Sequence, residues 1–226
     1  MALDADTFAS AGRRLAAGDS RLESIVAEHG FPDFWHRPAG FATLALLIVE
    51  QQVSLASARA VFERLVSALG DVSADSVSGA DPALLAGCGL TRQKIRYLTE
   101  LAGAVESGRL DLAALASLDD GSARRDLLSQ VGIGPWTADV YLLSALRRPD
   151  IWPTGDRALQ VGVAERLGLE TPPGPEDLDR IGERWRPFRS VAARLFWHDY
   201  LRRRGRSEIP VAGLGAGIPE PGDVAD

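Results

Sequence analysis

The sequence is poor in the residues on which several kinds of site depend. Its 226 residues include a single cysteine, Cys88, which excludes a disulfide within the chain and a four-cysteine iron–sulfur cluster. The three histidines, His29, His36 and His198, show no metal-ligand spacing, so we interpret them as structural or surface residues. Lys94 is the only lysine, and all other basic residues are arginines. Any reaction that needs a side-chain amine therefore has one candidate.

Long apolar runs and strand patterns are also missing. The nearly apolar run at residues 42–49 is too short to cross a bilayer, which takes about 20 residues, and we interpret it as a buried helix. The first six residues lack the basic region and apolar stretch of a secretory signal, so we expect a cytoplasmic protein, associated with the nucleoid if it is bacterial. Ala, Leu and Arg dominate and no period-two alternation appears. The composition therefore predicts an all-α fold.

The acidic net charge of −6 is unevenly distributed along the chain. Residues 1–120 carry a net charge of −6, residues 121–206 carry +4 and residues 207–226 carry −4. The basic region suits a local face that contacts phosphates, although its arginines are alternatively ordinary solvated helix faces. The last twenty residues, rich in Gly, Pro and acidic side chains, are predicted to be disordered.

A glycine-rich turn between two helical patterns is the most specific local motif. Residues 131–138 read Val-Gly-Ile-Gly-Pro-Trp-Thr-Ala and follow a helical pattern at 122–130. Gly132 and Gly134 allow a tight turn with bare N–H groups, and Pro135 fits the first turn of the next helix. Bare N–H groups at a helix start attract phosphate without reading any base. We expect Gly134 to be the position least tolerant of a side chain.

Four stretches of the chain resemble the helix-hairpin-helix DNA glycosylases, and among them the alkylpurine (3-methyladenine type II) branch. They follow the order and approximate spacing of that family between about residues 35 and 200. The stretches are residues 50–54 (EQQVS), 89–98 (GLTRQKIRYL), the hairpin with Asp156 twenty residues after Trp136, and 185–197 (WRPFRSVAARLFW).

The resemblance implies two α-helical lobes with the active site in the cleft between them. The central lobe would comprise residues 38–146 and contain the helix-hairpin-helix motif. The second, discontinuous lobe would combine residues 1–37 with 147–206, and residues 207–226 would form the tail.

Asp156 matches the catalytic aspartate of the family. Cleavage of an N-glycosidic bond gives the sugar oxocarbenium character, which a carboxylate can stabilise while it orients or deprotonates the attacking water. Alternatively, Asp156 caps the helix that begins at Arg157, a common role for Asp after Gly. The two roles can coexist.

The resemblance also implies a base pocket lined by aromatic residues. Trp136 stands where bifunctional members place the lysine that forms a Schiff base, which implies an enzyme without lyase activity. Trp197 matches an aromatic wall whose electron-rich face would favour a cationic base, and Trp152 and Tyr141 are further candidates. Core packing is the alternative for Trp136 and Trp197. The tyrosine often found four residues after the hairpin tryptophan is Val140 here, a departure that bears on substrate range.

Further contacts carried over from the family concern DNA and a cation. Gln52 matches the side chain that fills the gap left by a flipped base, with a plain polar helix end as the alternative. Thr137 and Arg157, together with Gly132 and Gly134, are expected to contact DNA. The main-chain carbonyls of three hairpin residues, Leu128, Gln130 and Ile133, are expected to hold a monovalent cation, sodium or potassium, and no other cofactor is expected.

These residues together favour a monomeric, monofunctional DNA glycosylase that removes alkylated purines from duplex DNA in base excision repair, without any membrane partner. A glycosylase for oxidised or deaminated bases is the nearest alternative. A non-catalytic module for damage recognition or DNA architecture is the other. Asp156 speaks against this last reading, because a pure binder gains nothing from an anion near phosphates.

Overall fold

The computed structural model describes residues 2–34 and 37–206, and all regular structure in them is helical. The all-α prediction is confirmed for this part of the chain, whereas His36 and the tail predicted at 207–226 lie outside it. The α-helices are α1 (Ala5–Gly18), α2 (Ser20–His29), α3 (Phe41–Glu50), α4 (Leu55–Leu69), α5 (Ala74–Ser78), α6 (Pro82–Gly87), α7 (Arg92–Glu106), α8 (Asp120–Leu128), α9 (Pro135–Ser144), α10 (Arg157–Leu167), α11 (Pro175–Gly182) and α12 (Arg189–Arg202). Two short 3-10 helices cover Ala114–Ser117 and Glu183–Trp185.

The described residues divide into two compact units. One unit contains residues 2–34 and 142–206, and the other contains residues 37–141. The lobe boundaries expected from the sequence, 37/38 and 146/147, lie a few residues from these divisions. None of the described helices is both long and apolar enough to span a membrane.

The 37–141 unit is built around α3. This helix is buried from Thr43 to Glu50, as the apolar run at 42–49 predicts, and it packs against α4 and α7. A charged pair closes one end: the guanidinium of Arg37 donates to both carboxylate oxygens of Glu50, at 2.9 and 2.8 Å. Burying Glu50 requires such a partner, since an isolated carboxylate in an apolar interior is very unfavourable.

The discontinuous unit is built around α12. This helix is buried from Ser190 to Asp199 and packs against α1, α2 and α10. An aromatic cluster of Trp152, Trp185 and Phe196 fills the core, with ring centroids 5.0 to 6.4 Å apart in tilted and edge-on arrangements. Offset geometries of this kind are the favourable ones for aromatic rings.

Local signals in the sequence predict several helix ends. Thr91 precedes a helical pattern and is therefore predicted to cap a helix; α7 begins after it, and the Thr91 hydroxyl accepts from the Lys94 amide. The apolar pattern predicts one helix over residues 41–54, but α3 ends at Glu50, where the backbone turns and Gln52 adopts a φ of 59°. The Gly/Asp/Ser-rich stretch after Leu69 predicts a plain connection, but it contains a five-residue helix, α5, too short for its periodicity to be recognised.

Many arginines of the basic region pair with acidic side chains of the same unit. Arg186 and Arg189 bind Asp150, Arg204 binds Glu165, and Arg166 bridges Glu28 and Asp199. The prediction that net charge marks a phosphate-contacting face is therefore too simple, because much of this charge is neutralised internally.

The ligand atoms of Glu28, His29 and Asp199 lie within 4.8 Å of one another, a proximity that sequence spacing did not indicate. The Arg166 guanidinium donates to both carboxylates, so this cluster is an ion-pair network.

Candidate active site

The Asp156 carboxylate is held in place by two donors. Its Oδ1 accepts from the main-chain N–H of Leu159 at 2.7 Å, so Asp156 caps the N-terminus of α10, as its position after glycine predicted. The same oxygen accepts from the indole Nε1 of Trp197 at 2.9 Å. Two donors converging on one oxygen fix the plane of the carboxylate and the direction of its second oxygen.

The loop that carries Asp156 is also tied down through its backbone. The N–H of Thr154 donates to the Trp152 carbonyl, and the N–H of Asp156 donates to the Pro153 carbonyl, both at 2.9 Å. From α10, the Gln160 side chain donates to the Thr154 carbonyl at 2.9 Å. We call residues 152–156 the carboxylate loop. Its rigidity suits a group that must act at a fixed place.

Trp197 reaches Asp156 from the middle of α12, the best-packed helix of its unit. It is 9% exposed, so most of the indole is enclosed and its N–H makes the polar contact. The sequence predicted a ring face toward a base and missed this hydrogen bond. The pocket role of Trp197 stays a prediction, whereas its contact with the carboxylate is observed.

Two other pocket candidates, Trp152 and Tyr141, are buried. Trp152 lies in the aromatic cluster, and its Nε1 donates to the Leu178 carbonyl at 2.8 Å. Tyr141 is fully buried, and its hydroxyl accepts from the Gly40 N–H at 2.9 Å. Burial also raises the pKa of the Tyr141 hydroxyl to about 12. Their polar groups are used inside the protein, as is usual for core residues, and a role of either side chain in the base pocket stays a prediction.

The hairpin consists of α8, residues 129–134 and α9, as predicted. Gly132 has a φ of +88°, and a Cβ there would lie 2.4 Å from Cγ of Tyr97, so only glycine fits. In the part of the chain that the structure describes, the N–H groups of Gly132 and Gly134 have no acceptor, whereas Ile133 donates to the Gln130 carbonyl. The turn therefore presents bare amides, the feature that binds phosphate.

Gly132 is the glycine that the fold itself requires. At Gly134 the φ is not in the left-handed region, and a Cβ would have no described atom within 4 Å other than those of its chain neighbours. The expectation that Gly134 is the less tolerant position therefore depends wholly on DNA, whereas the sensitivity of Gly132 follows from the protein.

Thr137, also predicted to contact DNA, has a buried side chain, and its contact with DNA stays a prediction. The residue is 1% exposed, and its hydroxyl accepts from the side-chain amide of Gln51 at 2.9 Å. The same Gln51 nitrogen donates to the Gly132 carbonyl at 2.9 Å. Sequence reasoning missed Gln51. The only signal was a second glutamine beside Gln52.

The remaining candidates keep their expected accessibility. Gln52 and Arg157 are exposed, and Trp136 is half-buried in the first turn of α9. Arg157 donates weakly to Gln160, at 3.4 Å. The exposure of Gln52 and Arg157 is compatible with DNA contact, and their roles stay predictions.

The carbonyls expected to hold a cation come from the turn between α8 and α9. Leu128 is the last residue of α8, so its carbonyl lies among those that the helix leaves without an intrahelical donor. The Gln130 carbonyl accepts from the Ile133 N–H at 3.2 Å and retains a second lone pair. Neutral main-chain carbonyl oxygens at a helix end are suitable ligands for a monovalent cation such as sodium or potassium.

The chain is similar in sequence to characterised proteins and in structure to solved ones. A DNA-3-methyladenine glycosylase of Bacillus subtilis is 26% identical over 180 residues, 74% of this chain and 57% of its own length. A 3-methyladenine DNA glycosylase of Schizosaccharomyces pombe, solved with abasic DNA, superposes with a TM-score of 0.76 at 23% identity, covering 83% of this chain and 95% of that one. A DNA-3-methyladenine glycosidase of Bacillus halodurans gives 0.71 at 29% identity, covering 84% and 89%.

Coverage is incomplete for the Bacillus subtilis relatives, since the chain spans 57 to 64% of the length of two of them. The family assignment does not depend on that coverage. Residues 46–187, well over half of the chain, match the family described as HhH-GPD superfamily base excision DNA repair protein. This chain belongs to the HhH-GPD superfamily.

Proposed function

We propose that this protein is a monofunctional DNA glycosylase that excises alkylated purines, of the 3-methyladenine and 7-methylguanine type, from duplex DNA in base excision repair. The observation that carries the proposal is the fixed Asp156 carboxylate, which the Leu159 N–H and the Trp197 indole both hold. The names of the relatives support the same substrate class.

The chemistry follows from the charge of the leaving group. An alkylated purine carries a positive charge, so it departs as a neutral base when the C1′–N bond breaks and takes that electron pair. The sugar then has oxocarbenium character, which the Asp156 anion stabilises. Water attacks C1′ through its oxygen and passes a proton toward Asp156, leaving an abasic site. A duplex hides this bond, so the nucleotide must first be flipped out of the stack.

The hairpin would supply affinity that does not depend on sequence. The bare amides of Gly132 and Gly134 would receive a phosphate, and Arg157 would make a further contact. The carbonyls of Leu128, Gln130 and Ile133 would hold a sodium or potassium ion that draws the phosphate to the turn. We also propose that the protein acts as a monomer in the cytoplasm.

The test is a panel of duplexes that each contain one lesion, incubated with excess protein and then treated with alkali to reveal abasic sites. We expect strand breaks with 3-methyladenine and 7-methylguanine and none in undamaged duplex. Cleavage confined to 8-oxoguanine or uracil would favour a glycosylase for oxidised or deaminated bases. Binding without any excision would show a non-catalytic module.

Absence of lyase activity is a separate part of the proposal. Trp136 occupies the lysine position, and the amine of Lys94 donates to two carbonyls, Val49 O at 2.7 Å and Gln51 O at 3.0 Å. Burial lowers the pKa of Lys94, which by itself would favour a nucleophile, but these contacts hold the amine at the end of α3.

Borohydride should therefore trap no covalent adduct between the protein and lesion-bearing duplex. A trapped species would contradict this, and Lys94→Met separates the sources. Loss of the adduct in that variant would identify Lys94, and its persistence would identify the N-terminal amine.

A further inference from the structure

The segment after α3 is exposed and yet has an unfavourable backbone. Gln52 is a non-glycine residue with a φ of 59°, a left-handed conformation that L-residues rarely adopt. Val53 is 45% exposed and Leu55 is 51% exposed, so the segment presents uncharged and apolar side chains to its surroundings. We call residues 52–55 the wedge segment. Something must hold it in this conformation.

Lys94 holds the start of the wedge segment from α7. Its ammonium group donates to the carbonyls of Val49 and Gln51, which belong to the last turn of α3 and the residue after it. A cation at the C-terminus of a helix satisfies carbonyls that have no intrahelical donor and interacts favourably with the helix dipole. The end of α3, and with it the direction in which the chain leaves, is thereby fixed.

Gln51 joins the same point to the hairpin. Its side-chain nitrogen donates to the Gly132 carbonyl in the turn and to the Thr137 hydroxyl in the first turn of α9, both at 2.9 Å. An amide nitrogen has two hydrogens, and these two acceptors use both. One acceptor lies in the Gly-x-Gly turn and the other in the helix that follows it. Gln51 therefore fixes both the position and the orientation of the turn relative to α3.

Tyr97 completes the connection. It lies one turn after Lys94 on α7, and Gly132 packs so closely on its ring that a Cβ could not be accommodated. The same helix therefore supports both the end of α3 and the hairpin turn.

We propose that Gln51 and Lys94 are positioning residues that set the wedge segment at a fixed distance from the phosphate-contacting turn. A duplex whose backbone is bound at the hairpin would then receive the Gln52 side chain at one defined step of its base stack. This inference rests on the proposed function, because it concerns how the flipped state is reached. The positioning role requires hydrogen-bond donors on Gln51 and Lys94. Cleavage of the glycosidic bond remains the role of Asp156.

The experiment measures opening of the stack without needing excision. A duplex carries an abasic analogue with 2-aminopurine as its neighbour, and fluorescence at saturating protein reports unstacking. Variants Gln51→Glu and Lys94→Met are compared with Gln52→Ala and with the double variants Gln51→Glu/Gln52→Ala and Lys94→Met/Gln52→Ala. Arg109→Met, at an exposed site three residues beyond the C-terminal end of α7, is the control for removal of one positive charge.

We expect Lys94→Met to bind undamaged duplex within about twofold of wild type while losing most of the fluorescence gain. Gln51→Glu should lose most of the gain at saturating protein as well, although its new carboxylate beside the turn is expected to weaken duplex binding. The double variants should be no worse than Gln52→Ala alone, because residues that act through one side chain do not have additive effects. Lys94→Arg should restore part of the gain. Arg109→Met should behave as wild type.

Losses that add to that of Gln52→Ala, or a parallel loss of duplex binding in Lys94→Met, would overturn the proposal. If a variant unfolds, Gln51→Met, which keeps the length of the side chain without its donors, is measured in its place under the same criteria. Wild-type protein that opens the stack but excises no base would contradict the proposed glycosylase activity and leave this inference to be judged by the fluorescence alone.

Discussion

The carboxylate loop and the hairpin turn are both short connections before a helix, but they present opposite parts of the chain. In residues 152–156 the N–H groups of Thr154 and Asp156 donate to carbonyls of the same loop, and the chemistry is carried by the Asp156 side chain. In residues 129–134 the amides of Gly132 and Gly134 have no acceptor among the described residues, and no side chain is needed to bind phosphate. A loop that must act on one atom of the substrate holds a side chain in a fixed place. A loop that must bind DNA of any base sequence instead exposes its backbone amides to the phosphates.

The difference predicts that substitutions in the two regions separate catalysis from binding. A change in the carboxylate loop should reduce excision and leave affinity for duplex almost unchanged. A change in the hairpin should reduce affinity for damaged and undamaged duplex alike.

Asp156→Asn should have the largest effect. Asparagine caps a helix about as well as aspartate and can still accept from Leu159 and Trp197, so the fold should be unchanged. It has no negative charge with which to stabilise a cationic sugar. We expect single-turnover excision of 7-methylguanine to fall by roughly 10²-fold or more, by analogy with loss of one transition-state contact.

The matching control is affinity for an undamaged duplex and for an abasic analogue, which Asp156→Asn should retain. Excision close to that of wild type, with an unchanged melting temperature, would show that Asp156 serves only as a helix cap.

Gly132→Ala should have the next largest effect, through the protein itself. Alanine at a φ of +88° costs about 1–3 kcal/mol, and its Cβ would meet the Tyr97 ring. The melting temperature should fall by roughly 4–8 °C, and binding to both kinds of duplex should weaken. An unchanged melting temperature would mean that the turn relaxes without affecting α7.

Gly134→Ala is the more specific probe of DNA binding, because the added methyl group meets no described atom of the protein beyond its chain neighbours. We expect an unchanged melting temperature and weaker binding to lesion-bearing and undamaged duplex alike, measured by fluorescence anisotropy. A defect confined to the lesion duplex would place Gly134 near the base and contradict a phosphate role.

Residues whose role is decided by nearby sequence could be predicted. The caps at Thr91 and Asp156 and the start of α4 after Ser54 follow from side chains that accept from amides three residues later. The Gly-x-Gly turn was also recognised from its own residues.

What sequence could not supply are contacts made across long separations. Gln51 meets Gly132 and Thr137 more than 80 residues away, and Lys94 meets Val49 45 residues away. Trp197 and Asp156 are 41 residues apart, so the resemblance could suggest an aromatic wall but not an N–H donor. The burial of Thr137 and Tyr141 was not predicted for the same reason, because burial depends on the packing of the whole unit.

Trp197→Phe should have the smallest effect and the most specific one. Phenylalanine keeps an aromatic ring but removes the N–H that holds the Asp156 carboxylate. Hydrogen bonds to charged groups contribute about 1.5–3 kcal/mol, and only part of this is lost because Leu159 still fixes Oδ1. We expect excision of 7-methylguanine and of hypoxanthine to fall alike, by about tenfold.

Trp197→Leu separates the N–H from the ring. It removes the donor and also the electron-rich face, which is worth roughly 1–2 kcal/mol to a desolvated cation. Relative to Trp197→Phe, a further loss is therefore expected with cationic 7-methylguanine and little with neutral hypoxanthine, if its excision is detectable. The ratio of the two single-turnover rates is the measurement, with melting temperature as the control. If both variants lose activity equally on both bases and melt earlier, Trp197 serves packing alone. If Trp197→Phe already changes the ratio, the indole face rather than its N–H dominates, and the carboxylate is held well enough by the helix cap.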